Sequence, residues 1–309
     1  MYKVRTEYLF HSHIKVKIPD RYDDKIFDKI FKIMKQVDKK YNSYSEFSYF
    51  DLINKNAGKY TNVDRVTIEM LETVKKYSDF FDGIYDITIM PLIKLWGFYR
   101  EKHVTVPSLH EIEKAKKKIN YKNIETDPVN LKVKSGAGQE IITGSFIKAF
   151  AVDMAAVELR ELGIDNAVIN AGGSSIRCFN NNIKKEWIIS VSDPDEPHKD
   201  LFDLKLKNMS YSTSAQGSSF VMINNKRYGH IINPVTGYPS GNKAAGIITE
   251  ESFDGDILST GLFNCEPEKF LEIIKTLKKD MYIEGFLMDS NRKMYYSDGF
   301  GKHIIKYEI

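Results

Sequence analysis

The chain has 309 residues, 42% hydrophobic and 12% aromatic, enough for a sizeable core in one large domain or two closely merged ones. Forty-five basic against 42 acidic residues leave a net charge of +3, so no global field argues for nucleic acid or an anionic membrane as partner. Two cysteines, Cys178 and Cys265, stand far apart without CxxC spacing, which argues against a zinc site or a disulfide framework, and no apolar run reaches the length of a transmembrane segment.

The start, MYKVRTEYLFHSHIKVKI, alternates apolar and polar residues and lacks the apolar core of a signal peptide. As written, the chain is expected in the cytoplasm, with a removed lipoprotein leader as the open alternative. Residues 8–18 read as one strand, with Ile14, Val16 and Ile18 on one face and His11, His13, Lys15 and Lys17 on the other. His11 and His13 could hold a metal, but no carboxylate or cysteine adjoins them; surface histidines are the simpler account. Residues 23–40 place Ile26, Phe27, Ile30, Phe31, Met34 and Val37 at helical spacing. Residues 41–59, YNSYSEFSYFDLINKNAGK, are rich in hydroxyls and aromatics, suited to stacking on a planar ligand or to sealing a domain edge. A helix over 64–80 turns Ile68, Leu71, Val74 and Tyr77 inward and ends at Asp82-Gly83.

Residues 84–100, IYDITIMPLIKLWGFYR, alternate a carboxylate and a hydroxyl with large apolar groups, which predicts Asp86 at a strand end, either as a site residue or as a buried, capped carboxylate. A helix over 109–119 and a hairpin around Asp127-Pro128 lead to SGAGQE. Residues 141–173 read as strand, loop, helix and strand: Gly144 and Ser145 open the helix, Phe146, Phe150, Met154, Val157 and Leu162 face the core, and Gly163 stops it. A helix started this way offers backbone N–H groups and a positive dipole end to an anion. Lys148, one turn inside, could reach a phosphate or simply lie in solvent. Gly172 and Gly173 then allow close backbone approach to a ligand, although a GxGxxG fingerprint is missing.

Strands follow at 187–192, 204–210 and 220–223, with the hydroxyl run YSTSAQGSS between the last two. The stretch GHIINPVTGYPSG, residues 229–241, packs a titratable His, an amide, prolines and glycines together, which reads as a site or as a rigid loop. A strand at 245–249 precedes a helix over 253–263, where Asp256 and Thr260 share one face. Their oxygens suit a hard cation such as Mg²⁺, with capping of the helix start as the competing explanation. A helix over 268–277 and strands at 285–288 and 293–297 close the chain. Irregular alternation with several hairpins predicts α+β, with mixed, largely antiparallel sheets flanked by helices.

Taken in order, the stretches SEFSYFDLIN, FDGIYDITIMPLIKLWGF, GSFIKAFAVDMAAVELRELGIDNAVINAGG, WIISVSDP, STS, GHIINPVTGYP and DILSTGLF resemble the FAD:protein FMN transferase family, also called ApbE or flavin transferase. The resemblance covers nearly the whole chain. It implies one ApbE-type domain over 1–309, or two merged subdomains, with a T-fold-like architecture and the ligand in a central cleft. It also implies an enzyme that binds FAD, uses Mg²⁺ on the pyrophosphate and transfers FMN to a Thr or Ser hydroxyl of a partner flavoprotein, releasing AMP. Carried over residue by residue, it puts Asp256, Ser259, Thr260 and the Ser145 carbonyl on the metal, and Lys148 and His230 in catalysis. FAD would be lined by Ile84, Tyr85, Asp86, Gly172, Gly173, Thr213, Ser214, Ile231, Ile232 and Thr236, together with Lys148 and His230.

Several positions depart from the family pattern. His11-Ser12-His13 stands where Met-Gly-Thr is usual, Ile142 where a nucleotide-contacting aspartate is usual, and Ile147 and Ala149 flank the lysine in place of Ala and Gly. Ala215 replaces a glycine, and Ser174 replaces the Asp of Gly-Gly-Asp. These departures motivate an alternative reading, a non-transferring FAD-binding protein or an FAD pyrophosphatase. The chain has no evident acceptor motif of its own, so self-flavinylation is not expected.

Overall fold

The computed structural model describes residues 1–99, 105–181, 184–217 and 219–305. Arg100, at the end of the 84–100 segment, and Ser218, in the hydroxyl run, lie outside the described residues. The chain divides into two compact units, one made of residues 1–38, 146–217 and 242–309, the other of 39–145 and 218–241.

The first unit is built on an eight-stranded sheet in the order Tyr2–Leu9, Ser12–Pro19, Ala167–Ala171, Ser175–Phe179, Ser210–Ala215, Ala244–Thr249, Ile283–Met288, Met294–Tyr296. Every neighbouring pair is antiparallel. Because side chains alternate across a strand, each central strand serves two layers. Ile176, Cys178, Tyr211, Ala244, Ile248, Phe286 and Met288 join Trp187, Ile189, Val191, Leu204 and Leu206 of a second, three-stranded sheet in one buried cluster. The alternate positions of the same strands, Ser175 and Arg177 with Ser210, Ser212 and Ser214, hydrogen-bond instead to helix Ser252–Phe263 or to the residue just before it. That helix packs beside helix Ile147–Glu161. At Gly255 an added Cβ would stand 2.6 Å from Ser212 Oγ, so glycine there lets the helix approach the strand.

The second unit holds helices Tyr49–Lys55, Arg65–Phe80, Met90–Leu95 and Leu109–Lys116, a small sheet of Thr61–Asn62, Lys132–Lys134 and Glu125–Asp127, and the hairpin Phe220–Ile223 with Lys226–Gly229. Its helix starts follow local chemistry: Asp64 accepts from Thr67 N–H, and Ser108 with Glu111 forms a reciprocal capping box. Ile89, Leu92, Trp96, Ile112, Val221, Ile223 and Ile232 form one of its buried clusters around Trp96.

Several expected elements differ. The strand expected over 8–18 is a hairpin that turns at Phe10 and His11, both at positive φ, so His11 sits in the turn and not on the strand face. The hydroxyl-rich segment contains helix Tyr49–Lys55, capped by Ser48. Asp86 is not at a strand end, because residues 84–89 form a turn and Pro91 starts the short helix Met90–Leu95. Residues 141–143 are irregular, which removes the first strand of the expected strand-loop-helix-strand unit. The strand placed at 204–210 is Asp200–Leu206, and the hydroxyl run itself begins in the next strand, Ser210–Ala215. Helix Ile147–Glu161 buries a different face from the one expected: Met154, Val157 and Leu162 are 41%, 47% and 36% exposed, while Ala149, Ala151, Val152, Ala155, Ala156 and Leu159 are buried. The helix packs against helix Ser252–Phe263 and strands Ala167–Ala171 and Ser175–Phe179, and most of the residues it buries there are small.

Candidate active site

In the first unit, the face of helix Ser252–Phe263 turned to the sheet meets a ladder of hydroxyls. Ser175 Oγ lies 2.8 and 2.7 Å from the two Asp256 carboxylate oxygens. Ser259 Oγ and Thr260 Oγ1 donate back to the Asp256 carbonyl at 3.1 and 3.0 Å, and Ser214 Oγ is 3.0 and 3.2 Å from those two hydroxyls. Asp256, Ser259, Thr260 and Ser214 are therefore brought together. Capping does not explain Asp256, since the N–H groups at the helix start are held by Asp153.

Lys148 belongs to the same cluster. It is only partly exposed, its Nζ donates to Ser174 Oγ, and the charge of Asp256 acts on it. Burial holds the lysine below its ordinary range, with Asp256 opposing. Burial likewise pushes the Asp256 carboxyl up to about 6, against the Lys148 charge and hydrogen bonds from Ser212 and Ser175. The helix carrying Lys148 has no side-chain cap at its start.

Gly172 and Gly173 form the loop of the hairpin joining strands Ala167–Ala171 and Ser175–Phe179, both at positive φ. A Cβ at Gly172 would collide with Ser12 Oγ, so the close approach seen there is to the chain's own first hairpin. Thr213 N–H donates to Ser174 O at 2.9 Å and Thr213 Oγ1 to Ala245 O at 3.2 Å, which ties this strand to the glycine hairpin.

In the second unit, Tyr85 is 3% exposed and its hydroxyl is 2.9 Å from Ser145 Oγ, with Ile84 partly exposed beside it. Asp86 uses both carboxylate oxygens within the protein. Oδ1 accepts from Thr88 N–H and Oγ1 at 2.7 Å each, and Oδ2 accepts from Tyr121 N–H at 2.9 Å. Burial pushes its pKa upward, with these bonds opposing.

Residues 229–241 form a tight hairpin. Ile232 pairs with Pro239, and Asn233 holds the turn through bonds to Val235 and Thr236 N–H from its Oδ1 and to Tyr238 O and Gly237 N–H from its backbone. Trp96 Nε1 donates to Gly237 O at 2.9 Å, which anchors the turn to the core. Ile231 and Ile232 are buried, and Thr236 is exposed with its hydroxyl accepting from Tyr238 N–H. His230 is partly exposed, edge-on to Phe98, with Nδ1 3.1 Å from Ser219 O.

The sequence pattern of the ApbE family matches residues 10–283. The chain belongs to the ApbE family. It is 27% identical over 271 residues to the FAD:protein FMN transferase of Haemophilus influenzae, covering 84% of this chain and 78% of that one. The fold is similar to the crystal structure of the ApbE protein from Thermotoga maritima, with a TM-score of 0.90, 25% identity, and coverage of 99% of this chain and 100% of that chain. The flavin transferase ApbE from Vibrio cholerae shares the fold at a TM-score of 0.84, with 19% identity and coverage of 98% and 99%.

This ApbE-family chain offers a specific donor set for the divalent cation that the resemblance implies. Among the described residues no three His, Cys, Asp or Glu side chains gather as a metal cluster. What the first unit offers is one carboxylate with Ser259 and Thr260 hydroxyls, all oxygen. That partial shell fits Mg²⁺, which keeps water and substrate phosphate among its ligands and needs few protein oxygens. The raised Asp256 pKa fits as well, because a bound cation would supply the neutralising charge that burial withholds. Sequence reasoning missed Ser175, Ser212 and Asp153. For Ser212 a signal existed, the serines at 210, 212 and 214 spaced by two; for Ser175 and Asp153, only long-range packing reveals the role.

Proposed function

We propose that this ApbE-family enzyme transfers the FMN half of FAD onto a threonine or serine hydroxyl of a partner flavoprotein and releases AMP. The observation that carries the reading is the cluster of Asp256, Lys148 and hydroxyls in a chain of this family. In the transfer, the acceptor oxygen bonds to the FMN phosphorus, the P–O bond to AMP breaks with its electron pair leaving on the AMP phosphate, and the hydroxyl proton passes to a base.

Within the first unit we assign Asp256, Ser259 and Thr260 to Mg²⁺, which when bound neutralises pyrophosphate charge. Lys148 meets the negative charge that develops on phosphate oxygens, and the hairpin of Gly172 and Gly173 with Thr213 and Ser214 presents polar groups to the nucleotide. Phosphoryl transfer needs mostly such positioning and charge neutralisation. Within the second unit we assign Ile84, Tyr85, Ile231, Ile232 and Thr236 to the flavin, with Asp86 fixing the turn under Tyr85. His230 is the proton acceptor: with Nδ1–H donating to Ser219 O, Nε2 keeps the lone pair that takes the hydroxyl proton.

AMP release from FAD, measured with and without Mg²⁺ and an acceptor domain, tests this reading. Release is expected to depend on both, and His230→Ala is expected to slow the acceptor-dependent rate by about a hundredfold or more. Release of AMP and free FMN without acceptor would contradict transfer and indicate a pyrophosphatase. An unchanged rate in His230→Ala would leave the 229–241 hairpin as scaffold.

A further inference from the structure

Helix Ser252–Phe263 carries every side chain assigned to the cation, yet its own N-cap residue, Glu251, makes no side-chain cap bond. The cap comes from another helix. Asp153, on helix Ile147–Glu161, accepts the N–H of Ser252 at 3.0 Å and the N–H of Phe253 at 2.7 Å. The Phe253 ring is held by the same helix and the residue before it, at 5.8 Å from Phe150 and 5.7 Å from Phe146, both edge-on.

The consequence follows from helix geometry. Unbonded N–H groups at a helix start make its first turn the part that frays, and Asp256 lies one turn from that start. A frayed first turn would swing Asp256 away from Ser175 and Ser212 and would loosen the Asp256 carbonyl to which Ser259 and Thr260 donate. A carboxylate at a helix N-terminus supplies both the missing acceptors and a charge that favours the dipole. Glu251 and Arg177 are the charged neighbours of this cap: both act on Asp153, and Arg177 Nη2 donates to Glu251 at 2.9 Å.

We propose that Asp153 is a positioning residue for the cation site, clamping the first turn of helix Ser252–Phe263 so that Asp256, Ser259 and Thr260 keep their register against Ser175 and Ser214. The clamp joins the two helices that carry Lys148 and Asp256, so it sets lysine and carboxylate in one frame. This inference rests on the Mg²⁺-dependent transfer proposed above, and its test separates the two.

The full-length protein is compared with Asp153→Ala, Asp153→Asn and, as a stability control, Ser108→Ala, which removes an unrelated helix cap in the other unit. Two quantities are read: the MgCl₂ concentration giving half-maximal FAD turnover, and amide hydrogen exchange over residues 252–256 without ligand. Asp153→Ala is expected to raise the half-saturating MgCl₂ by about tenfold or more and to speed exchange over 252–256. Asp153→Asn, which keeps one acceptor oxygen, is expected to fall between it and the wild type. Ser108→Ala is expected to lower the melting temperature and change neither quantity. If the Asp153 variants behave like Ser108→Ala, the inference is overturned; if Asp153→Ala does not fold, Asp153→Asn decides by the same criteria. A wild type that turns over FAD without MgCl₂ would refute the functional reading instead, while the exchange measurement still decides the clamp.

Discussion

Asp256 is a costly residue in the ligand-free fold. It is 8% exposed, and its pKa rises to about 6 even with Lys148 and two serines favouring its charge. A shift of that size corresponds to on the order of 1–3 kcal/mol against the ionised form at neutral pH. Asp256→Asn is therefore expected to unfold at an equal or higher denaturant midpoint than the wild type at pH 7, while Mg²⁺-dependent turnover falls at least a hundredfold. A marked loss of stability with turnover intact would mean that Asp256 serves the fold and not the cation. The pH dependence carries the same sign. Asp153 also rises to about 6 from an ordinary 3.8, so between about pH 6 and 4 the folded protein binds protons that the unfolded chain does not. Stability of the ligand-free protein should then increase as pH falls from 7 to 5, by on the order of 1 kcal/mol for each group. Asp193 acts in the opposite direction. Arg292 holds it below the ordinary range, so its contribution is present above about pH 4 and is lost as pH falls further. Urea unfolding at pH 7 and pH 5 checks the first sign, and a lower midpoint at pH 5 would contradict it.

At the scale of elements, the 229–241 hairpin shows how a loop gains rigidity without regular structure. Asn233 ties its turn, Ile231 and Ile232 are buried, and Trp96 grips Gly237 O from beneath. Trp96→Phe keeps most of the apolar volume and removes that bond, leaving a buried carbonyl without its donor, so a loss of about 1–3 kcal/mol is expected in chemical denaturation. No loss would show that packing alone fixes the turn. The turn chemistry of this loop is written in adjacent residues, Asn-Pro and Gly-Tyr-Pro, which is why sequence reading located it. Strand Phe220–Ile223 and helix Ser252–Phe263 are legible from local residues too, the strand as a short apolar run of Phe, Val, Met and Ile and the helix through the four-residue spacing of Asp256 and Thr260. The buried face of helix Ile147–Glu161 is not legible in the same way, because Ala151 and Ala155 are buried while Met154 and Val157 are exposed, and only the positions of the elements packed against it, helix Ser252–Phe263 and strands Ala167–Ala171 and Ser175–Phe179, decide that. The first hairpin is not legible because its turn, Phe10 and His11, contains neither Gly nor Pro and adopts positive φ with ordinary side chains.

On the scale of the molecule, the first unit is assembled from three separate stretches of chain, and its sheet places Ser12–Pro19 beside Ala167–Ala171 and Ser210–Ala215 beside Ala244–Thr249. Alternation along one strand fixes which residues face the core but not which distant strand lies beside it. The candidate site divides along the same line. Lys148, Asp256 and Thr260 were visible as residue types at informative spacings, whereas Ser175 and Asp153 acquire roles only when distant segments come together. The departure at Ser174 lies within this cluster, since Ser174 Oγ accepts from the Lys148 ammonium. The central claim, that the chain joins FMN covalently to another protein, is tested most directly by intact mass spectrometry under denaturing conditions. An acceptor domain bearing an Asp-Gly-x-Thr-type motif is incubated with this protein, FAD and MgCl₂. The account predicts that the denatured acceptor gains the mass of FAD less AMP, which is one FMN less one water, on its threonine or serine and that AMP is released in equal amount. An unmodified acceptor alongside complete conversion of FAD to free FMN and AMP would contradict it.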